Sequence, residues 1–324
     1  MTANIWVLAE HWRGRLSDLT PELLTLGREL AAALGGGTQL EAVLLGHGAK
    51  ALAASLAADG VLSVDHAALA EPNPEASCLA LAALIEQRKP RAILVPLSNV
   101  AADLIGLVPA RLKVPLVNFC RDVRAVDGRL EARCVLYGGK LEATVVVAGA
   151  PAVIGVLPGS RPAAGAPSAP PPVTDVPVEL PGDLRVRFEA YVDPEPGDVD
   201  VTQQDVLVSV GRGIQTQDNI ALAEELAEAL GGAVSASRPV IDQGWLPLTR
   251  QVGKSGATVK PKLYLAAGIS GAPEHVEGMK GAALIVAVNT DPQAPIFSVA
   301  HYGYAGDVLE FLPALTAAVK AKKA

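Results

Sequence analysis

Four turns rich in glycine and hydroxyl residues punctuate the C-terminal third of the sequence, each at the end of a short apolar run. They read Gly211-Arg212-Gly213, Ala236-Ser237-Arg238-Pro239, Gln251-Val252-Gly253-Lys254-Ser255-Gly256 and Gly268-Ile269-Ser270-Gly271-Ala272, and Pro273-Glu274-His275 follows the last. Glycine admits positive φ and close backbone approach, so such turns can converge N–H groups on an anion or on the edge of a heteroaromatic ring. Ser255 adds a hydroxyl able to donate or accept. Arg238 lies just past an apolar strand, where a guanidinium would be desolvated and would need an anionic partner; the alternative is a surface ion pair. His275 sits at the start of a helix, where an anion is favoured; the alternative is a capping or solvent-facing ring. A buried arginine, a turn hydroxyl and a histidine in one cradle suit a redox group whose ring gains negative charge.

Other chemistries find no support. Gly211-Arg212-Gly213 fails as a dinucleotide fingerprint because Thr216 stands where a third glycine or alanine belongs. Lys254 and Ser255 come too early for a phosphate loop. No Ser/His/Asp, Cys/His or paired-carboxylate arrangement stands out, and His11, His47 and His66 lack metal-ligand spacing. Neither catalytic side chains nor a metal site are therefore expected. His301, Tyr302 and Tyr304 read as packing for the final helix, with an electron relay as the alternative. Cys78, Cys120 and Cys134 form no Cys-x-x-Cys pair and read as buried, reduced thiols. The net charge of −7 comes without a basic stripe, which argues against nucleic acid.

The elements that must hold these turns follow from the apolar pattern. A chain of 324 residues, 50% hydrophobic and 19% charged, has material for two packed domains. Aromatics are only 4%, and aliphatic runs suit parallel strands buried on both faces. Strands at Ile5–Ala9, Leu40–Leu45, Val61–Val64 and Ala92–Leu97 alternate with helical segments, the first with Thr20 as N-cap and running to Leu34. That rhythm predicts a doubly wound, nucleotide-binding-like α/β domain over residues 1–197. Arg121–Val147 alternates charged and apolar residues and reads as antiparallel strands at an edge. Residues 158–181 are proline-rich and form no regular element, marking a connection; Val178–Tyr191 is a possible extra strand. Residues 198–324 form a second α/β domain, with strands at Asp205–Val210, Ala233–Ser237, Lys262–Ala267 and Ala283–Val288. The strand beginning near Asn4 leaves no room for a targeting peptide, and Ala143–Leu157 falls short of the roughly 20 residues of a membrane span. A soluble cytoplasmic protein is expected.

From Val208 to Phe297 the quoted turns, with Leu263-Tyr264-Leu265-Ala266-Ala267, Gly278-Met279 and Asn289-Thr290-Asp291-Pro292, closely resemble the alpha subunit of electron-transfer flavoproteins. The first half resembles that family only in strand rhythm and length. The resemblance implies a C-terminal FAD-binding domain with a parallel sheet, and a heterodimer whose beta subunit holds AMP or, in bifurcating NADH-linked members, a second FAD. Electrons would arrive from flavin dehydrogenases, such as the acyl-CoA dehydrogenases of fatty acid oxidation, and leave for a quinone oxidoreductase. By motif, Arg212 and Ser237 would contact the nucleotide portion, Arg238 the isoalloxazine, and Val252, Gly253, Lys254 and Ser255 the flavin edge near N5. Ser270, Gly271, Ala272, Pro273, Glu274 and His275 would span the pyrophosphate and ribityl region, with His275 reaching the pyrimidine carbonyl. Asn289, Asp307 and Val308 would anchor the adenosine end. This chain departs from the family in Ser255 for threonine, in His301 for aspartate, and in Asn99–Asp103, where a basic residue is missing.

Overall fold

The computed structural model describes residues 4–191 and 199–323, which divide between residues 190 and 191 into two compact units. The expected boundary at residues 197 and 198 lies outside the described residues. The first unit is built on a nine-stranded sheet, in the order Val173–Asp175, Gly60–Asp65, Leu40–Gly46, Ile5–Leu8, Ala92–Pro96, Ala152–Val156, Leu116–Val126, Arg129–Leu136, Leu141–Val146. All neighbours pair parallel up to Leu116–Val126, and the last two strands are antiparallel. The central strand shows why: Ile5 and Val7 pack with Leu23, Leu26 and Leu30 of the helix Leu19–Leu34. Trp6 and Leu8 face the other way, onto Leu81, Leu84 and Ile85 of the helix Pro74–Arg88. A strand apolar at every position needs cover on both faces, which is the doubly wound arrangement.

Two local expectations are corrected. Thr20 is not an N-cap: the helix already begins at Leu19, and the Thr20 hydroxyl donates to the Glu10 carbonyl at 3.1 Å. The proline-rich stretch does hold a regular element, the edge strand Val173–Asp175, while Val178–Tyr191 supplies none. Proline is tolerated there because it precedes an edge strand, and the Pro172 carbonyl still accepts the Val61 N–H at 2.9 Å. Cys78, Cys120 and Cys134 are buried and free. Cys120 and Cys134 face each other across two antiparallel strands with 3.7 Å between sulfurs.

The second unit carries a five-stranded, wholly parallel sheet. Its order is Ala233–Ala236, Val206–Val210, Leu263–Ala267, Leu284–Asn289, Tyr302–Ala305. Val208 and Val210 pack against Ala223 and Leu226 of the helix Ile220–Leu230 and against Leu312 of the helix Val308–Lys323. Gly231, at φ 74°, ends the first of these helices in the left-handed conformation that glycine adopts without strain. On the opposite face Leu207, Tyr264 and Ala266 meet Val252, Ile269 and Met279. Tyr302–Ala305 is a fifth strand where the sequence pattern predicts only packing residues. Tyr304 stacks on Phe311 of the final helix at 5.2 Å, and both Tyr302 and Tyr304 are exposed. His301 Nδ1 accepts the Ile285 N–H at 3.0 Å.

Candidate functional site

Strand order in the second sheet reverses between Val206–Val210, whose next strand in sequence lies on one side, and Leu263–Ala267 on the other. In an open parallel sheet the crevice outside the carboxyl ends of such strands is where ligands bind. All four quoted turns project from this edge. Gly211 and Gly213 leave Val210 and press on the loop after Ala267: the Gly213 N–H donates to the Gly268 carbonyl at 3.0 Å, and a Cβ on Gly211 would stand 2.3 Å from that oxygen. Two loop backbones in direct contact explain why no side chain fits there. Arg212 between them is exposed.

The next strand ends at Ala236. Ser237 is buried, donates its N–H to the Val210 carbonyl at 3.0 Å and opens the short helix Arg238–Ile241. At Arg238 the structure takes the surface ion pair of the two sequence readings. Its side chain is 68% exposed and its Nε lies 3.4 Å from the Asp242 carboxylate. The first position of a helix capping the strand end turns outward, so the protein itself does not desolvate this guanidinium.

The turn from Val252 to Ser255 is tied down on two sides. Val252 donates its N–H to the Ala236 carbonyl at 2.9 Å, and Lys254 donates its N–H to the Glu274 carbonyl at 2.7 Å. Gly253, at φ 139°, leaves only 3.1 Å between a would-be Cβ and the Glu274 carbonyl. Buried Gln251 donates Nε2 to Ser255 Oγ at 2.9 Å. Because Oγ accepts there, the hydroxyl hydrogen of this exposed serine remains free to donate. Gly271 (φ 86°) holds the adjoining loop against Ile296, whose N–H donates to the Ser270 carbonyl at 3.0 Å. Ala272, Pro273 and Glu274 are exposed on the same loop and the first turn of the helix Pro273–Met279.

His275 is neither capping nor solvent-facing. It is 7% exposed, and its Nε2 lies 2.9 Å from the hydroxyl of fully buried Tyr264. Its Nδ1 is buried with no hydrogen-bond partner among the described residues. Burial holds the imidazole pKa down at about 4, and the neighbouring Val252 backbone opposes that shift only in part. The ring is therefore neutral near pH 7. Burial likewise drives the Tyr264 phenol well above its ordinary value, with Ser209 and Ser235 easing it slightly.

Asn289, Asp307 and Val308 lie farther along the same edge, where the Gly306 N–H donates to the Asn289 carbonyl at 3.0 Å. Their side chains serve the protein. Asn289 bridges the Ile269 carbonyl and the Asp291 N–H at 2.9 Å each. Asp307 accepts the Leu309 N–H at 2.9 Å, and Val308 is buried in the core. The contacts thus join Ala236, next to Ser237, with Val252–Ser255 and Glu274–His275, and set Asn289, Asp307 and Val308 in an adjoining pair of loops.

The donor set fits a planar heteroaromatic group. A neutral imidazole with one orphaned nitrogen and a hydroxyl with a free hydrogen flank a turn that has no side chain at Gly253. A flavin ring carries carbonyl and ring-nitrogen acceptors for such donors. Among the described residues no cluster of His, Cys, Asp and Glu could hold a metal ion, and no helix is long and apolar enough to cross a membrane. Sequence reasoning missed Tyr264, Ser209, Ser235 and the anchoring role of Gln251. The available signal was polarity inside apolar strands, as in Val208-Ser209-Val210 and Val234-Ser235-Ala236.

Comparison with known proteins agrees. Residues 5–181 match the family described as the electron transfer flavoprotein domain, and residues 200–280 match the electron transfer flavoprotein FAD-binding domain. The chain is 37% identical to protein FixB of Clostridium saccharobutylicum over 98% of this chain and 96% of that protein. It is 36% identical to the electron transfer flavoprotein subunit alpha of Clostridium acetobutylicum, over 98% and 97% respectively. The acryloyl-CoA reductase electron transfer subunit beta of Anaerotignum propionicum is 36% identical over 99% of this chain and 96% of its own length.

Proposed function

Because the chain belongs to the electron transfer flavoprotein family, with the alpha subunits among its relatives, we propose that it binds one FAD at the carboxyl edge of its second sheet. In this reading it pairs with a beta subunit that holds AMP, takes electrons from flavin dehydrogenases, acyl-CoA dehydrogenases among them, and delivers them to a quinone oxidoreductase. The observation that carries the cofactor placement is the buried His275 ring, with Nε2 held by Tyr264 and Nδ1 left without a partner.

When bound, FAD supplies a ring able to accept and release electrons one at a time. The residues of this chain then have distinct tasks. Val252 to Ser255 line the ring edge, and Ser255 donates its free hydroxyl hydrogen to it. His275 offers Nδ1 to a ring carbonyl as a neutral donor. Arg238, exposed in the chain alone, contributes a permanent positive charge near the pyrimidine side. Ser270 to Glu274 follow the ribityl and pyrophosphate portion. Asn289, Asp307 and Val308 shape the adenosine end through the loops that they fix, and Arg212 and Ser237 border the nucleotide.

The test is co-purification with the beta subunit, followed by a visible spectrum and stepwise reduction. Flavin bands at one flavin per pair, reduced in two separate one-electron steps, are the expected result. A colourless, folded pair that takes up no added FAD would refute the assignment, and two flavins per pair would replace AMP with a second FAD and make the complex a bifurcating one.

A further inference from the structure

Beneath the proposed flavin edge lies a polar cluster inside an otherwise aliphatic core. Ser209, Ser235, Tyr264 and His275 are each 7% exposed or less. Ser209 and Ser235 are register partners on neighbouring parallel strands. Tyr264 comes from the third strand, where its register partner is Leu207, two residues before Ser209 and on the same face. The Tyr264 hydroxyl is hydrogen-bonded to His275 Nε2, at 2.9 Å. Both serine hydroxyl oxygens and His275 Nδ1 are buried without partners.

From this geometry we propose that Tyr264 is a positioning residue that fixes the tautomer of His275, placing the ring proton on Nδ1. The proposal rests on the FAD reading above, which supplies the acceptor that the Nδ1 hydrogen meets. Two arrangements of protons are possible across the 2.9 Å contact. If Nε2–H donated to the phenol oxygen, the phenol proton would have to find an acceptor in the core. The hydroxyls of Ser209 and Ser235 could take it, but Nδ1 would then be a bare acceptor with nothing to offer a ring carbonyl. If instead the phenol donates to Nε2, Nδ1 carries the ring hydrogen. That hydrogen then sits on the one ring atom free to meet a bound acceptor. The serine hydroxyls can turn toward the phenol oxygen as donors, consistent with their effect on Tyr264 acidity.

The arrangement makes His275 a donor of fixed direction without charging it. A flavin carbonyl then meets a neutral N–H, and the positive charge near the ring is left to Arg238. The experiment is nitrogen-15 NMR of the histidine ring in the flavin-loaded heterodimer, with histidine labelled and the His275 signal assigned by its loss in His275→Gln. The expected spectrum shows a protonated Nδ1 and an unprotonated, hydrogen-bonded Nε2. In Tyr264→Phe the preference should fall by roughly tenfold or more, the scale of one buried hydrogen bond. The first reduction potential should move while flavin content stays at the parent level. A protonated Nε2 in the parent, or the same tautomer and potential in Tyr264→Phe, overturns the proposal. If Tyr264→Phe does not fold, the parent spectrum alone decides. A parent pair that retains no flavin overturns the cofactor reading instead, and the ring tautomer, read in that same protein, still tests the Tyr264 contact.

Discussion

Both sheets have a point where strand order reverses, and the two points are finished differently. In the first sheet it lies between Ile5–Leu8 and Ala92–Pro96. There the Glu10 carboxylate accepts the Ser98 hydroxyl, Ser98 Oγ accepts the Ala101 N–H at 3.0 Å, and Thr20 donates to the Glu10 carbonyl. These three groups satisfy one another, while His11 Nδ1, next in the chain, is buried without a partner. In the second sheet the corresponding edge is walled by glycines, and the groups beneath it, His275 Nδ1 and the Ser209 and Ser235 hydroxyls, stay unmatched. Shared topology gives two candidate crevices. The glycine walls and the cluster of three unmatched groups favour the second for a ligand, because buried polar groups lacking partners are costly to retain without a purpose.

The comparison is broken most forcefully at Gly271. An alanine there would occupy φ 86° and bring its Cβ to 2.3 Å from the Ile296 nitrogen. Backbone strain of roughly 1–3 kcal/mol combined with that collision should destabilise the second unit by about 3 kcal/mol and abolish flavin retention. Urea unfolding and flavin content measured together check it; normal values of both would remove the glycine wall from the argument.

Acid should act on the second site almost as strongly. His275 has a folded pKa of about 4 against an ordinary 6.5, so between those values the unfolded chain binds the extra proton. Stability should therefore be unaffected above pH 6.5 and fall as pH drops toward 4, by about 3 kcal/mol over the window. His275→Gln should lack that component of the acid slope. An identical slope in parent and variant would mean that the ring is not held neutral by burial.

Closing groups of the first sheet supply the converse test. Ser98→Ala removes the acceptor for the Ala101 N–H and the partner of Glu10. A cost of about 1–2 kcal/mol in the first unit is expected, with flavin content and reduction potential unchanged. A change in potential would show that this edge also belongs to the redox site.

What the sequence revealed, and what it hid, follows the same division. The strands and the glycine turns after Val206 were legible because parallel strands buried on both faces are aliphatic throughout and their ends are marked by residues that only a tight turn needs. The strand Tyr302–Ala305 was not, since an exposed edge strand has no apolar alternation to declare it. Val173–Asp175 was masked by the prolines before it. The Tyr264–His275 contact joins residues on a strand and a separate helix, and a serine within Val208-Ser209-Val210 does not announce which side chain it will lie beside. Arg238 was placed at a strand end with its exposure left open between a desolvated guanidinium and a surface ion pair. Direction at the first turn of a helix depends on where the helix points, which a sequence pattern leaves open.

Arg238 is the smallest and most discriminating test. Its exposed pair with Asp242, at 3.4 Å, should contribute little to stability, under about 0.5 kcal/mol. Its effect on a bound flavin ring is electrostatic and need not follow stability. A unit charge about 4 Å away in a water-like surrounding is worth roughly 1 kcal/mol, or on the order of 40 mV for one electron, and more if the cofactor excludes water from the guanidinium. Arg238→Ala should therefore lower the first reduction potential by at least that amount while the unfolding midpoint barely moves. A lowered potential with unchanged stability assigns the arginine to the ring. An unchanged potential returns it to the surface pair with Asp242 and leaves the neutral N–H of His275 and the Ser255 hydroxyl as the groups of this chain that face the developing charge.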